Sequence, residues 1–174
     1  MRHPMPIVTP RLILRPPTLH DLDSIQKAKE EAWPELQRWM TWAVAEQRSR
    51  QAMEESIRRG MEYQKQAGIQ LAGFHRGNGD FVVRTALDPT DQPDVYETGY
   101  WVAPKYAGQG MATEAANAAI RYAFGHLGAK ANYDWVLRRK RAKPAHRREI
   151  GIRESRRCSQ RRNTLPGWRE TRSS

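Results

Sequence analysis

Residues 95–127, VYETGYWVAPKYAGQGMATEAANAAIRYAFGHL, leave the fewest choices of fold. Val95–Val102 is rich in β-branched and aromatic residues and carries Glu97 as its only charge, which predicts a mostly buried strand. Pro104 ends it, and Gly108 and Gly110 follow two apart. From Met111 onward, Ala112, Ala115, Ala116, Ala119, Ile120, Ala123 and Leu127 recur at three- and four-residue spacing. That spacing predicts a helix with a small apolar face, able to lie close against a sheet. A glycine loop between a strand and a helix presents several backbone N–H groups, at the positive end of the helix dipole, to an anion such as pyrophosphate. An ordinary tight strand-to-helix turn uses the same glycine spacing, so spacing alone leaves both readings open.

Upstream, Arg11-Leu12-Ile13-Leu14-Arg15 predicts a first strand, closed by Pro16-Pro17. Thr18, three residues before Asp21, forms a capping-box signal for a helix running toward Glu31. Pro34 is expected to begin a second short helix. Trp33, Trp39 and Trp42 gather there, either capping the core or forming the aromatic wall of a pocket whose neighbours Glu30, Glu31 and Glu35 attract a cationic amine. Residues 47–66 read as a charged helix with a thin stripe of Met53, Ile57, Met61 and Tyr63. Strands at 69–75 and 80–87 are joined by Gly77-Asn78-Gly79, a hairpin signal, and residues 88–94 read as a polar loop.

The string E-T-G-Y-W-V-A-P-x-Y-x-G-Q-G-x-A-T-E-A at 97–115 resembles the acetyl-CoA-binding motif of the GNAT N-acetyltransferases, in the branch of the ribosomal-protein N-terminal acetyltransferases. The run P-R-L-x-L-R-P-x-x-x-x-D from Pro10 to Asp21 resembles the way that branch begins. The family loop reads Arg or Gln, two residues, Gly, one residue, Gly or Ala. Gly110 and Ala112 fit its last two fixed positions, while Ala107 stands where Arg or Gln is usual, which weakens one loop contact. The resemblance covers about three-quarters of the chain and implies an α/β GNAT acyl-CoA N-acyltransferase fold, a mixed central sheet with flanking helices. It further implies acetyl-CoA as cofactor and a primary amine as acceptor, a protein N-terminus or a small molecule. By the same resemblance, the backbone of Tyr100, Trp101 and Val102 would hold the pantetheine arm. The loop and helix start at Ala107, Gly108, Gln109, Gly110, Met111, Ala112 and Thr113 would hold the pyrophosphate. Glu97 would be the general base, and Trp39 and Trp42 would line the acceptor side.

Composition bears on compartment and partners. A chain of 174 residues suffices for one domain with a core. It shows no apolar run of transmembrane length, and residues 1–10 lack a signal-peptide pattern, so a cytoplasmic protein with no membrane partner is expected. Cys158, the single cysteine, fits a reducing compartment, and no Cys/His spacing suggests a metal. The net charge of +11 suggests nucleic acid until its distribution is read. Residues 1–130 hold 16 Lys+Arg against 15 Asp+Glu, and residues 131–174 hold 14 against 4.

The chain thus divides into an incomplete GNAT domain at 1–130 and a basic tail at 131–174, with the C-terminal strand and helix of the fold expected to be missing or disordered. An arginine-rich, non-catalytic RNA-binding arm is one reading of the tail. A shifted reading frame is another. Turned back into degenerate codons and translated one base later, the tail gives, among the permitted choices, R-I-T-I-G-Y directly after Lys130, then E-N-E, then S-R-R-I-A-E-K-L-G-F. The first is a strand. The others resemble the later GNAT motif, in which an Asn contacts the cofactor and a helix ends in the final four residues. One base gained, or two lost, near codon 130 is therefore the expectation. The chain as written lacks the Tyr or Ser that, by the same resemblance, often protonates the departing thiolate in this family, so it is expected to transfer acetyl groups weakly and, with an exposed sheet edge, to be poorly stable.

Overall fold

The sheet is assembled strand by strand from short apolar runs and the turns between them. The structure, a computed structural model, describes residues 5–63 and 68–134. Six strands lie in sequence order: β1 (Ile7–Val8), β2 (Leu12–Arg15), β3 (Ile69–His75), β4 (Phe81–Pro89), β5 (Val95–Val102) and β6 (Ala131–Asp134). All neighbours are antiparallel except β5 and β6. That parallel pair needs a crossover, supplied by helix α3 (Met111–His126). Helices α1 (Leu22–Trp39) and α2 (Arg50–Tyr63) stand between β2 and β3 in sequence.

Each face follows from the register. Arg84 of β4 lies opposite Trp101 of β5, and its guanidinium reaches Met53 and Ser56 of α2 and Gln70 of β3. The α1–α2 layer therefore covers the face carrying Gln70, Arg84 and Trp101. Helix α3 covers the other, packing against β4 and β5. Ala115, Ala119 and Ala123 on α3 are completely buried, which is why small residues recur there. The hairpin, the central strand and α3 stand where the sequence predicts them. So does the first capping signal: Thr18 N–H donates to Asp21 (2.8 Å), although a single 3₁₀ turn at Leu19–Asp21 precedes α1.

Four expectations are corrected. Helix α1 continues through Pro34 instead of restarting there. A proline inside a helix forfeits a backbone hydrogen bond and costs about 3 kcal/mol. Ile25, Ala28, Ala32, Trp33 and Leu36, however, stay on one buried stripe on both sides of it, and burying large apolar side chains such as Ile25 and Leu36 contributes about 1.5–3 kcal/mol each. Helix α2 begins at Arg50, after a 3₁₀ turn at Ala45–Gln47, and Met61 on its expected apolar stripe is exposed. Strand β4 extends through Pro89, drawing Asp88 out of the expected loop and opposite Glu97.

The fourth correction concerns β6. A strand does form after Lys130, although Ala131-Asn132-Tyr133-Asp134 has poor β-propensity. The return from α3 lays the chain beside β5, where Lys130 N–H donates to Asp94 O (2.7 Å) and the Thr98 hydroxyl donates to Asn132 Oδ1 (3.0 Å). The sheet edge is therefore not lost at residue 130. The remainder of the basic tail, with its RNA-arm and shifted-frame readings, lies outside the described residues.

Candidate active site

The glycine loop is held open by its backbone angles. Gly108 (φ 74°) and Gly110 (φ 76°) both occupy the left-handed region, which a side chain would strain. Ala107 N–H donates to Pro104 O, and the first helical amide to find a carbonyl is that of Glu114, which donates to Gly110 O (3.0 Å). Met111, Ala112 and Thr113 thus form the open first turn of a 16-residue helix, where N–H groups and dipole favour an anion. The Gln109 side chain is exposed and folds back along the loop, its Nε2 donating to Lys105 O (2.8 Å). Met111 buries its side chain, so only its backbone faces the loop, and Ala107 is exposed. The structure therefore brings together the loop residues marked by the sequence.

Strand β5 leads into this loop. Ala103 N–H donates to Val82 O, which fixes the alternation of the β4–β5 ladder. Counting back from that bond, Trp101 and Gly99 turn their backbone groups toward β4, whereas Val102 and Tyr100 turn theirs to the opposite side. Pairing with β6 runs from Val95↔Ala131 to Thr98↔Asp134 among the described residues. Trp101 also buries its ring against Phe81 (centroids 5.3 Å apart), so it serves the ladder and the core rather than the outward side.

Glu97, Gly99 and Trp101 share one face by the two-residue period of a strand. Glu97 is half-buried, with Asp88 directly across from it in the register. A Cβ added at Gly99 would meet nothing within 4 Å among the described residues, which leave the face open between Glu97 and Trp101. The three clustered tryptophans part company. Trp33 is core, 3% exposed. Trp39 is half-buried at the end of α1, its Nε1 donating to Glu35 (2.9 Å) and the Arg38 guanidinium 4.9 Å from its ring. Trp42 is 41% exposed in the turn that follows. Both belong to the helical layer on the face that carries Glu97.

Two groups escaped the sequence reading. Asp88 needed the register of two strands to come beside Glu97. The Thr9–Arg11–Glu114 cluster joins residues 103 or more positions apart, for which no local signal exists. Glu114 accepts from the Thr9 hydroxyl (2.6 Å), the Arg11 backbone N–H (2.9 Å) and Arg11 Nε (2.7 Å), while Arg11 Nη1 donates to Gln109 O (2.8 Å). Burial pushes the Glu114 carboxyl up, but the hydrogen bonds from Thr9 and Arg11 outweigh it and hold the group below the usual carboxylate range. No group of three or more metal-ligating side chains forms among the described residues.

The family model for the acetyltransferase (GNAT) domain matches residues 11–152. No curated protein matches in sequence. Solved structures share the fold. A Vibrio cholerae protein assigned as a ribosomal-protein-serine acetyltransferase is 24% identical, with a TM-score of 0.65 over 77% of this chain and 75% of that one. RimL, a ribosomal L7/L12 alpha-N-protein acetyltransferase in complex with coenzyme A, is 15% identical, with a TM-score of 0.65 over 75% and 73%. The microcin C7 self-immunity acetyltransferase MccE, in complex with acetyl-CoA and AMP, is 16% identical, with a TM-score of 0.63 over 72% and 69%. At these identities the likeness establishes the fold alone, and the family match carries the assignment: the chain belongs to the GNAT acetyltransferase family.

Proposed function

We propose that this chain transfers an acetyl group from acetyl-CoA to the α-amine of a protein N-terminus. The observation that carries the reading is the continuity of β5 with the loop, in which the outward-turned backbone of Tyr100 and Val102 runs into the glycine-held amides at the start of α3. A long cofactor with two amides and a pyrophosphate fits such a track, and the relatives crystallised with coenzyme A or acetyl-CoA support it. Acetyl-CoA supplies the activated acyl group. Tyr100 and Val102 would pair with the pantetheine amides, and the amides of Gly108, Gln109, Gly110, Met111, Ala112 and Thr113 would bind the pyrophosphate. Glu97, beside the open face at Gly99, would take the proton from the incoming ammonium, directly or through water. Trp39 and Trp42 would form the acceptor wall. A protein α-amine is favoured by the ribosomal-protein acetyltransferases among the structural neighbours. A cytoplasmic setting belongs to the same proposal. No helix among the described residues is long and apolar enough to cross a membrane. The RNA-binding alternative has no support among them.

The test is acetyl transfer by the purified chain to a peptide with an unblocked N-terminus, beside the same peptide with its N-terminus blocked and a lysine free. Glu97→Gln is expected to lower kcat by about 10²-fold, as loss of a general base does, with CoA affinity retained. Absence of CoA binding by the parent chain, or full turnover by Glu97→Gln, overturns the corresponding part of the reading.

A further inference from the structure

We infer that Arg11 is a cofactor-anchoring residue, setting the pyrophosphate loop from the far end of the chain and offering a guanidinium N–H to the phosphate. The inference rests on the acetyl-CoA reading above and assigns part of that site to β2's approach instead of to the loop. Arg11 grips both sides of the loop: Nη1 holds Gln109 O, and Nε and the backbone N–H hold Glu114 in the first turn of α3. Its remaining terminal nitrogen, Nη2, lies 3.6 Å from the place a Gly110 Cβ would take and has no hydrogen-bond partner among the described residues. Residues 107–113 contain no charged side chain. Lys105, the nearest lysine in sequence, pairs with Asp80 on the hairpin side (2.5 Å). No other lysine or arginine side chain bonds to the loop among the described residues.

Charge explains why the arrangement matters. A lone carboxylate at Glu114 would repel a phosphate from the helix N-terminus that otherwise attracts it. Arg11 cancels that repulsion and leaves one N–H pair pointing to the loop side. A guanidinium suits this double task because its donors form a planar fork, so carboxylate, carbonyl and phosphate can be met together. Arg11 is half-exposed, with 41% of its side-chain surface open, so a bound anion can reach it.

The experiment measures binding of CoA, inorganic pyrophosphate and pantetheine to the full chain and to Arg11→Ala, Arg11→Lys and the double variant Arg11→Ala/Glu114→Gln. Circular dichroism establishes that each variant folds. Arg11→Ala is expected to bind CoA and pyrophosphate about 10-fold or more weakly, the effect of losing a charge-assisted hydrogen bond, with pantetheine affinity unchanged. Arg11→Lys should fall between the two, and adding Glu114→Gln to Arg11→Ala should restore part of the loss by removing the carboxylate that Arg11 no longer neutralises. Rising salt should narrow the gap between parent and Arg11→Ala. Equal CoA affinity in Arg11→Ala, or an equal loss for pantetheine, overturns the assignment of Arg11 while leaving the cofactor reading standing. If the parent chain binds none of the three probes, the cofactor reading falls and the role of Arg11 with it.

Discussion

Lys29 shows how a single buried charge shapes this protein. It projects from α1 with 2% exposure and donates to Gln47 O (2.8 Å), with the Trp33 ring 5.9 Å away. Burial pushes its pKa from 10.5 down to about 8, Glu30 opposing the shift and Arg84 adding to it. A group whose folded pKa is depressed in this way binds fewer protons folded than unfolded between those two values, so stability rises with pH across that window. The shift corresponds to at most about 3 kcal/mol. Lys29→Met, which has no charge to bury, should lack that rise. Unfolding free energies of parent and variant, from denaturant titration, should therefore converge, or cross in favour of the parent, by about 2 kcal/mol between pH 7 and pH 10.5. A pH-independent difference would show that Lys29 stays charged at no cost. None of this is legible locally, because Lys29 sits in a charged run that reads as solvated.

At the scale of elements, the hairpin and α3 stand where the sequence places them, whereas the bounds of α1 and α2 and the C-terminal strand do not. Residues 69–89 and 95–126 carry their own turn chemistry and periodicity. Strand β6 carries none. It also holds a misfit: Asn132 is 4% exposed, and its Nδ2 has no hydrogen-bond partner among the described residues, while its Oδ1 accepts from Thr98. A buried amide donor left unmade costs about 1–3 kcal/mol. In the shifted frame this position becomes isoleucine or threonine, residues suited to a buried strand beside β5. Asn132→Thr removes the orphan donor and keeps an oxygen for Thr98. It is expected to raise the stability of the chain by about 1 kcal/mol, visible as a higher Tm. A lower Tm would mean that the amide makes a contact worth keeping.

At the scale of the whole molecule, the reading frame after Lys130 governs how the last quarter of the chain can complete the fold. The family model continues to residue 152 and the sheet continues to Asp134, both past the point where the basic composition begins. A buried amide donor without a partner is the kind of misfit that an out-of-frame strand would leave. The nucleotide sequence of the source DNA and transcript across codons 125–150 is expected to show one base gained or two lost. The corrected chain should melt cooperatively at a higher temperature and turn over acetyl-CoA faster than the chain as written. An intact frame, together with full turnover by the written chain, would remove this explanation of the arginine excess.

By itself the sequence determined the strand-loop-helix at 95–126, the hairpin, the family and the glycine loop, because each of these rests on residues near one another in the chain. Tertiary structure alone decided which backbone groups of β5 face outward, since Trp101 and Val102 are neighbours in one apolar run yet turn toward different sides of the ladder. It also decided that Asp88 stands opposite Glu97, that Pro34 lies within a helix whose buried stripe overrides it, and that Arg11 reaches the loop 98 residues further on. Those outcomes depend on register and packing between distant segments, and no local pattern encodes either.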